Sequence, residues 1–160
     1  MQASEVKSGT RARHPAAMAL SHPADRALWA LLFMCGMGVL VVAAMLQPDA
    51  EGYGTHTQLG MQPCASLAAT GFPCPTCGMT TAFAHAADGN LVAAFATQPA
   101  GAALALLAAI ATLVSGYGML AGLPAHGVAE AVWTPRNLLI FGGGIILAWI
   151  YKILAVHGVL

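Results

Sequence analysis

Three long apolar runs constrain the fold of this chain more than any other feature of its sequence. They cover residues 28–46, 99–123 and about 136–157. As a helix rising about 1.5 Å per residue, the first run spans roughly 28 Å, close to the thickness of the hydrocarbon core of a bilayer. Only 8% of the residues are charged, against about a quarter in soluble domains. The sequence therefore predicts an all-α membrane protein with three transmembrane helices.

The remaining segments are polar. Residues 1–27 show no apolar period and are predicted to be a disordered tail. A secretory signal is the competing interpretation, but the run 28–46 is longer than the apolar core of such a signal, which has roughly 7–15 residues. Residues 28–160 are predicted to form a single helical membrane domain. Its partners are the lipid bilayer and not a nucleic acid, because a formal net charge of zero leaves no excess of basic residues.

The basic residues predict the orientation of the spans. Segment 47–98 contains no Lys or Arg, and five of the 6 basic residues lie in the first tail and the connector before the third span: Lys7, Arg11, Arg13, Arg26 and Arg136. The positive-inside rule then places the N-terminus in the cytoplasm and residues 47–98 outside. The sixth, Lys152, is expected to extend to the outer interface beside Trp149 and Tyr151, with an inward-facing functional lysine as the alternative.

Segment 47–98 contains the main motif, Cys74-Pro75-Thr76-Cys77-Gly78. Because proline suits the first turn of a helix, the motif is predicted to start a helix that ends near Gly89. We expect this helix to lie at the membrane surface or to re-enter the bilayer. A fourth span is less favoured, since polar residues would lie near its middle.

The cysteines permit two kinds of chemistry. At a helix start, free amides and the helix dipole favour a thiolate on Cys74. In a redox relay Cys74 would be the attacking thiol, Cys77 the resolving thiol and Cys64 the exchange partner. The alternative is a structural disulfide from Cys64 to Cys74 or Cys77.

No cofactor and no metal is predicted. His85 would lie roughly 12 Å beyond Cys77 along a straight helix, too far to share a zinc ion with it. A site made by the three cysteines, with His56 as a fourth ligand, stays open.

Helical spacing places several polar residues of this segment on one face: Cys74, Cys77, Thr81, His85 and Asp88. His85 and Asp88 are close enough in sequence to form a hydrogen bond. The simpler interpretation is a face that meets water or lipid headgroups.

The spaced elements of this region resemble a known family. They are Cys74-Pro75-Thr76-Cys77-Gly78-Met79-Thr80-Thr81-Ala82-Phe83, then Asp88-Gly89-Asn90-Leu91, Ala93-Ala94-Phe95 and Gln98-Pro99. Together they are similar to the bacterial membrane proteins of domain-of-unknown-function family 2752, whose hallmark is Cys-Pro-x-Cys-Gly-hydrophobic-Thr-Arg-Ala. Thr81 stands where many members carry Arg. The resemblance implies a small multi-span protein of the bacterial inner membrane and implies no activity.

Three functional hypotheses follow. The first is a non-enzymatic protein whose motif helix, fixed by cysteines, has a structural role or binds another membrane protein. The second is the thiol–disulfide relay described above. The third is a small transporter or channel subunit that uses a partly inserted helix.

Overall fold

A computed structural model describes residues 23–125, 132 and 134–158. This part of the chain is helical, without a β-strand. Its elements are α1 (Pro23–Met45), a 3-10 helix (Thr55–Leu59), α2 (Ala65–Thr70), α3 (Met79–Ala87), α4 (Leu91–Thr97), α5 (Pro99–Ala121) and α6 (Pro135–Val156). Three of them, α1, α5 and α6, are long and apolar enough to cross a membrane. The predicted all-α fold with three spans is confirmed.

The span boundaries differ from the predicted ones by a few residues. The largest difference is at α1, which begins at Pro23 and so includes the last five residues of the predicted tail 1–27. Proline at the start of a helix costs no hydrogen bond, and Asp25 in the first turn interacts favourably with the helix dipole. Residues 1–22 lie outside the described part of the chain.

Helices α1 and α5 pack closely because small residues line their contact. A Cβ atom added to Gly118 of α5 would lie 2.7 Å from the Trp29 ring of α1, and one added to Gly36 would overlap Thr112. The Trp29 indole also donates a 2.8 Å hydrogen bond to the carbonyl oxygen of Leu123. The small residue at Gly118 therefore allows the Trp29 ring of the neighbouring helix to approach α5 closely.

Helix α6 is attached differently. Small residues in a span often mark close packing of helices, but a Cβ atom at any residue of the triplet Gly142–Gly144 would meet nothing within 4 Å among the described residues. Instead, α6 contacts the rest of the protein through polar side chains near its C-terminus.

Residues 47–98, hereafter the cysteine platform, lie at the end of the bundle where α1 ends and α5 begins. Helices α3 and α4 form a hairpin in which Asn90 caps α4 by accepting a 3.1 Å hydrogen bond from the Ala93 N–H. Gly101 of α5 packs against Ala82, and Ala87 at the end of α3 shares an apolar cavity with α5. Helix α3 thus runs beside the first turns of α5. With nine residues it is about 14 Å long, too short to be a fourth span.

Candidate functional site

Three cysteines of the platform converge on one point. The Sγ atoms of Cys64, Cys74 and Cys77 all lie within 4.8 Å of one another. All four cysteines of the chain are free thiols, so neither of the predicted disulfides is formed; the fourth, Cys35, is exposed on α1. The sequence correctly grouped these three cysteines, although it did not place them in space.

The turn between Cys74 and Cys77 differs from the predicted helix start. The N–H of Cys77 donates to the carbonyl oxygen of Cys74 at 3.0 Å, which closes a tight turn, and α3 begins only at Met79. Gly78 caps α3 with a φ of 83°, a left-handed conformation that favours glycine. The prediction that the helix starts within Cys74–Cys77 is therefore wrong by a few residues.

A lack of space for a side chain is a second reason why position 78 requires glycine. An added Cβ atom would lie 2.5 Å from the carbonyl oxygen of Gly52 and 3.0 Å from Nζ of Lys152. The motif turn is thus pressed against another loop of the platform and against α6. A larger residue at position 78 would force these elements apart.

The backbone N–H groups that were predicted to favour a thiolate on Cys74 lie beside Cys64 instead. Cys64 is the cap of α2, and the nearby backbone N–H of Leu67 lowers the pKa of its thiol. Burial opposes this effect, and the backbone N–H of Cys74 adds to it. No helix begins directly after Cys74, whereas α2 begins directly after Cys64. The argument that a helix start lowers the pKa of a thiol therefore applies to Cys64.

Cys77 is the most buried of the three, with 5% of its surface exposed. Burial raises the pKa of its thiol to about 11, and the neighbouring sulfur atoms of Cys64 and Cys74 act in the same direction. A thiol with this pKa is protonated at neutral pH. The cluster therefore combines Cys64, whose lowered pKa favours the thiolate, with Cys77, whose raised pKa favours the protonated thiol.

Lys152 lies beside the motif turn and is 4% exposed. Its Nζ donates to the carbonyl oxygens of Gly52, at 3.0 Å, and Thr97, at 3.1 Å. It also lies 5.8 Å from the centre of the Tyr53 ring. The expectation that Lys152 extends outward is wrong; the inward-facing alternative describes its position. Its carbonyl partners could not be found by sequence reasoning, because any residue supplies a backbone carbonyl.

The two aromatic residues beside Lys152 also bind the platform. The Trp149 indole donates to the carbonyl oxygen of Pro73 at 2.9 Å, and the Tyr151 hydroxyl donates to that of Ala96 at 2.7 Å. All three side chains therefore join one end of α6 to the platform backbone.

Thr81 belongs to a buried polar contact and not to an exposed stripe. Its hydroxyl lies 2.8 Å from that of Thr55, and both residues are fully buried. The Asp49 N–H donates to Thr55 Oγ1 at 3.0 Å. Thr81 thus holds the start of α3 against the loop that follows α1.

The other predicted site residues lie in four places. Gly78, Thr80 and Thr81 line a cavity of about 350 Å³ together with the three cysteines and His56. Pro75 belongs to the motif turn, and Pro99 starts α5. His85, Asp88 and Gly89 lie farther along the α3–α4 hairpin, outside the lining of this cavity. The side chains of His85 and Asp88 form no hydrogen bond with each other in the described part of the chain.

The segment that contains the cluster matches a known family. Residues 64–112 match the model described as "Protein of unknown function (DUF2752)". The predicted resemblance of this segment to the DUF2752 family is thereby confirmed. The DUF2752 segment begins at Cys64 and runs into the middle of α5, so it includes all three clustered cysteines. No curated protein and no solved structure matches the chain.

Proposed function

We propose that this chain is a non-enzymatic multi-pass membrane protein in which the cysteine platform is a rigid structural element that binds another membrane protein. The observation that carries this proposal is the buried ammonium of Lys152, which hydrogen bonds to Gly52 near the start of the platform and to Thr97 at its end. Hydrogen bonds to a charged donor are about twice as strong as neutral ones. One side chain of α6 thus fixes both ends of the platform.

The contacts around Lys152 support the same role. Trp149 and Tyr151 add two bonds to platform carbonyls, and Gln98 donates to the carbonyl oxygen of Pro75 in the motif turn at 3.1 Å. A segment held at so many separate points keeps one shape. A fixed shape lowers the entropic cost of binding a partner.

The platform belongs, in this proposal, at the outer face of the bacterial inner membrane. Support comes from the basic residues: Arg26 and Arg136 lie near the starts of α1 and α6, at the end of the bundle away from the platform. An impermeant thiol reagent tests the orientation. In intact cells it should label Glu51→Cys beyond the level of the parent protein, and it should label Arg136→Cys only after permeabilisation. The reverse pattern contradicts the orientation.

Photocrosslinking in living cells tests the partner-binding role. A photoreactive residue replaces Val92 of the platform, which is 83% exposed, or Leu113 in the middle of α5, which is 74% exposed and serves as the control. We expect a discrete protein adduct at position 92 and only lipid adducts at position 113. The adduct should weaken in a Lys152→Met background, because the platform loses its fixed shape. Lipid adducts alone at both positions contradict the role.

A second candidate function is thiol–disulfide exchange, favoured by the convergence of the three sulfur atoms. A thiolate of Cys64 or Cys74 would attack a disulfide of a partner protein, forming a mixed disulfide and releasing one partner thiolate. A neighbouring cysteine would then attack the mixed disulfide, leaving an internal disulfide and the reduced partner. A cysteine-to-alanine variant should then trap the mixed disulfide with that partner. Absence of such a trapped species in the Cys64, Cys74 and Cys77 variants excludes this candidate.

A further inference from the structure

The three clustered sulfur atoms form a closed group of the kind that holds a metal ion. Each of Cys64, Cys74 and Cys77 lies within 4.8 Å of both others, whereas a disulfide would use two of them and leave one unpaired. In a tetrahedral zinc site with Zn–S bonds of about 2.3 Å, the sulfur atoms lie about 3.8 Å apart. The cluster needs an adjustment of about 1 Å or less to reach this spacing. We propose that Cys64, Cys74 and Cys77 bind one Zn²⁺ ion.

A fourth ligand is available in the same cavity. His56 lines it beside the three cysteines, and its Nε2 lies 3.1 Å from the carbonyl oxygen of Gln62. Because a carbonyl only accepts, Nε2 carries the proton and Nδ1 keeps its free electron pair. Histidines that bind metal ions typically donate their other ring N–H in this way. We therefore assign His56 Nδ1 as the fourth ligand, which must move toward the sulfur atoms on binding, because the ligand atoms that lie within 4.8 Å of one another are those of the three cysteines.

The charges around the cluster fit this assignment. Zn²⁺ with three thiolates and a neutral histidine has a net charge of −1, and a buried charge is stable only when it is paired. The ammonium of Lys152 lies beside Gly78, which directly follows Cys77. Its two hydrogen-bond partners are carbonyl oxygens that carry no full charge. Lys152 thus supplies the positive charge that a zinc–thiolate group requires.

Binding changes the bonding of the site in a defined way. Three Zn–S bonds form, and each thiol that was protonated releases its proton to solvent. The metal ion would join α2, the motif turn and the 3-10 helix. This inference rests on the proposed function, since the platform that we consider rigid is the one that zinc would hold together.

Metal analysis of the full chain, purified in detergent with a reductant, tests the proposal. We expect one zinc per chain, retained in Cys35→Ser and lost in Cys64→Ser, Cys74→Ser and Cys77→Ser. Cys35→Ser is the matched control, because it removes the cysteine outside the cluster. His56→Gln should bind zinc more weakly than the parent by 10-fold or more. Unchanged zinc content in the three cluster variants, or copper in place of zinc, contradicts the assignment.

A second measurement avoids variants that fail to fold. In the parent protein, the thiols of Cys64, Cys74 and Cys77 should resist a maleimide reagent until a chelator is added, and added Zn²⁺ should restore their protection. Replacement by Co²⁺ should give the intense visible bands of tetrahedral thiolate coordination. Thiols that react equally with and without chelator overturn the zinc site.

The same samples separate this inference from the proposed function. Limited proteolysis reports the rigidity of the platform independently of metal content. A zinc-free protein with a protease-resistant platform contradicts the zinc site and leaves the platform role intact. A zinc-loaded protein whose platform is cut readily supports the site and contradicts the rigid platform.

Discussion

Nζ of Lys152 lies 3.0 Å from the carbonyl oxygen of Gly52, a residue 100 positions earlier in the chain. This single bond joins the third transmembrane helix to the loop that follows the first. Because the same ammonium also binds the carbonyl oxygen of Thr97, it lies between both ends of the cysteine platform. The bundle and the platform therefore form one connected unit.

Replacing Lys152 by Met tests how much this unit depends on the ammonium. The substitution keeps an unbranched side chain but removes both hydrogen bonds and leaves two carbonyl groups without their donor. We expect the free energy of unfolding to fall by about 2–4 kcal/mol, measured by thermal unfolding in detergent. Tyr151→Phe is the control, because it removes only one neutral hydrogen bond and should cost about 1 kcal/mol. Equal effects of the two variants would contradict a special role for Lys152.

Gly78 and Gly89 form a matched pair for a second prediction. Both have a left-handed backbone, with φ of 83° and 78°, so alanine at either position costs about 1–2 kcal/mol. Only at Gly78 does the new Cβ atom also meet backbone, 2.5 Å from the Gly52 carbonyl oxygen; at Gly89 nothing lies within 4 Å. Gly78→Ala should therefore lower the melting temperature clearly more than Gly89→Ala does. Similar losses in both variants would show that the close contact contributes nothing.

Much of this architecture follows from the sequence. The spans could be predicted because length and hydropathy alone decide which helices can cross a bilayer. The cysteine motif marked the site because Cys, Pro and Gly each restrict local structure. The start of α3 could not be predicted, because Pro75 suits a first helical turn while Gly78 suits the cap just before one. The close approach of Gly52 and Lys152 to Gly78 is a tertiary contact, and local sequence does not encode it.

Glycines within the spans are a second example of tertiary contacts that local sequence does not encode. Gly118 and Gly142 are both small residues within apolar helices, yet only Gly118 faces a neighbouring helix. The face of a span that packs against another helix depends on that helix. Sequence does not reveal this face, because the residues on both faces are apolar. Lys152 is a similar case: its charge predicted an outward position, and its partners are backbone groups that no residue type reveals.

Alanine substitutions at Gly118 and Gly142 should accordingly have opposite effects on stability. A Cβ atom at Gly118 would lie 2.7 Å from the Trp29 ring, whereas one at Gly142 meets nothing within 4 Å. Gly118→Ala should destabilise the bundle by about 1–3 kcal/mol through overpacking. Gly142→Ala should be neutral or slightly stabilising, because alanine favours the helix. Thermal unfolding of both variants in the same detergent checks this, and a larger loss at position 142 would contradict the described packing.

The thiols themselves provide the last prediction, which concerns the protein after chelator treatment. Reaction with a maleimide requires the thiolate. Because nearby backbone N–H groups lower the pKa of Cys64 and burial raises that of Cys77 to about 11, Cys64 should react faster than Cys77 at neutral pH. Raising the pH increases the thiolate fraction of Cys77, so its rate should keep rising about tenfold per pH unit until near its pKa. Mass spectrometry of labelled peptides follows each site. An added Glu51→Cys, at an exposed position outside the spans, provides the internal reference, and a Cys77 rate that levels off below pH 9 would contradict its buried, protonated state.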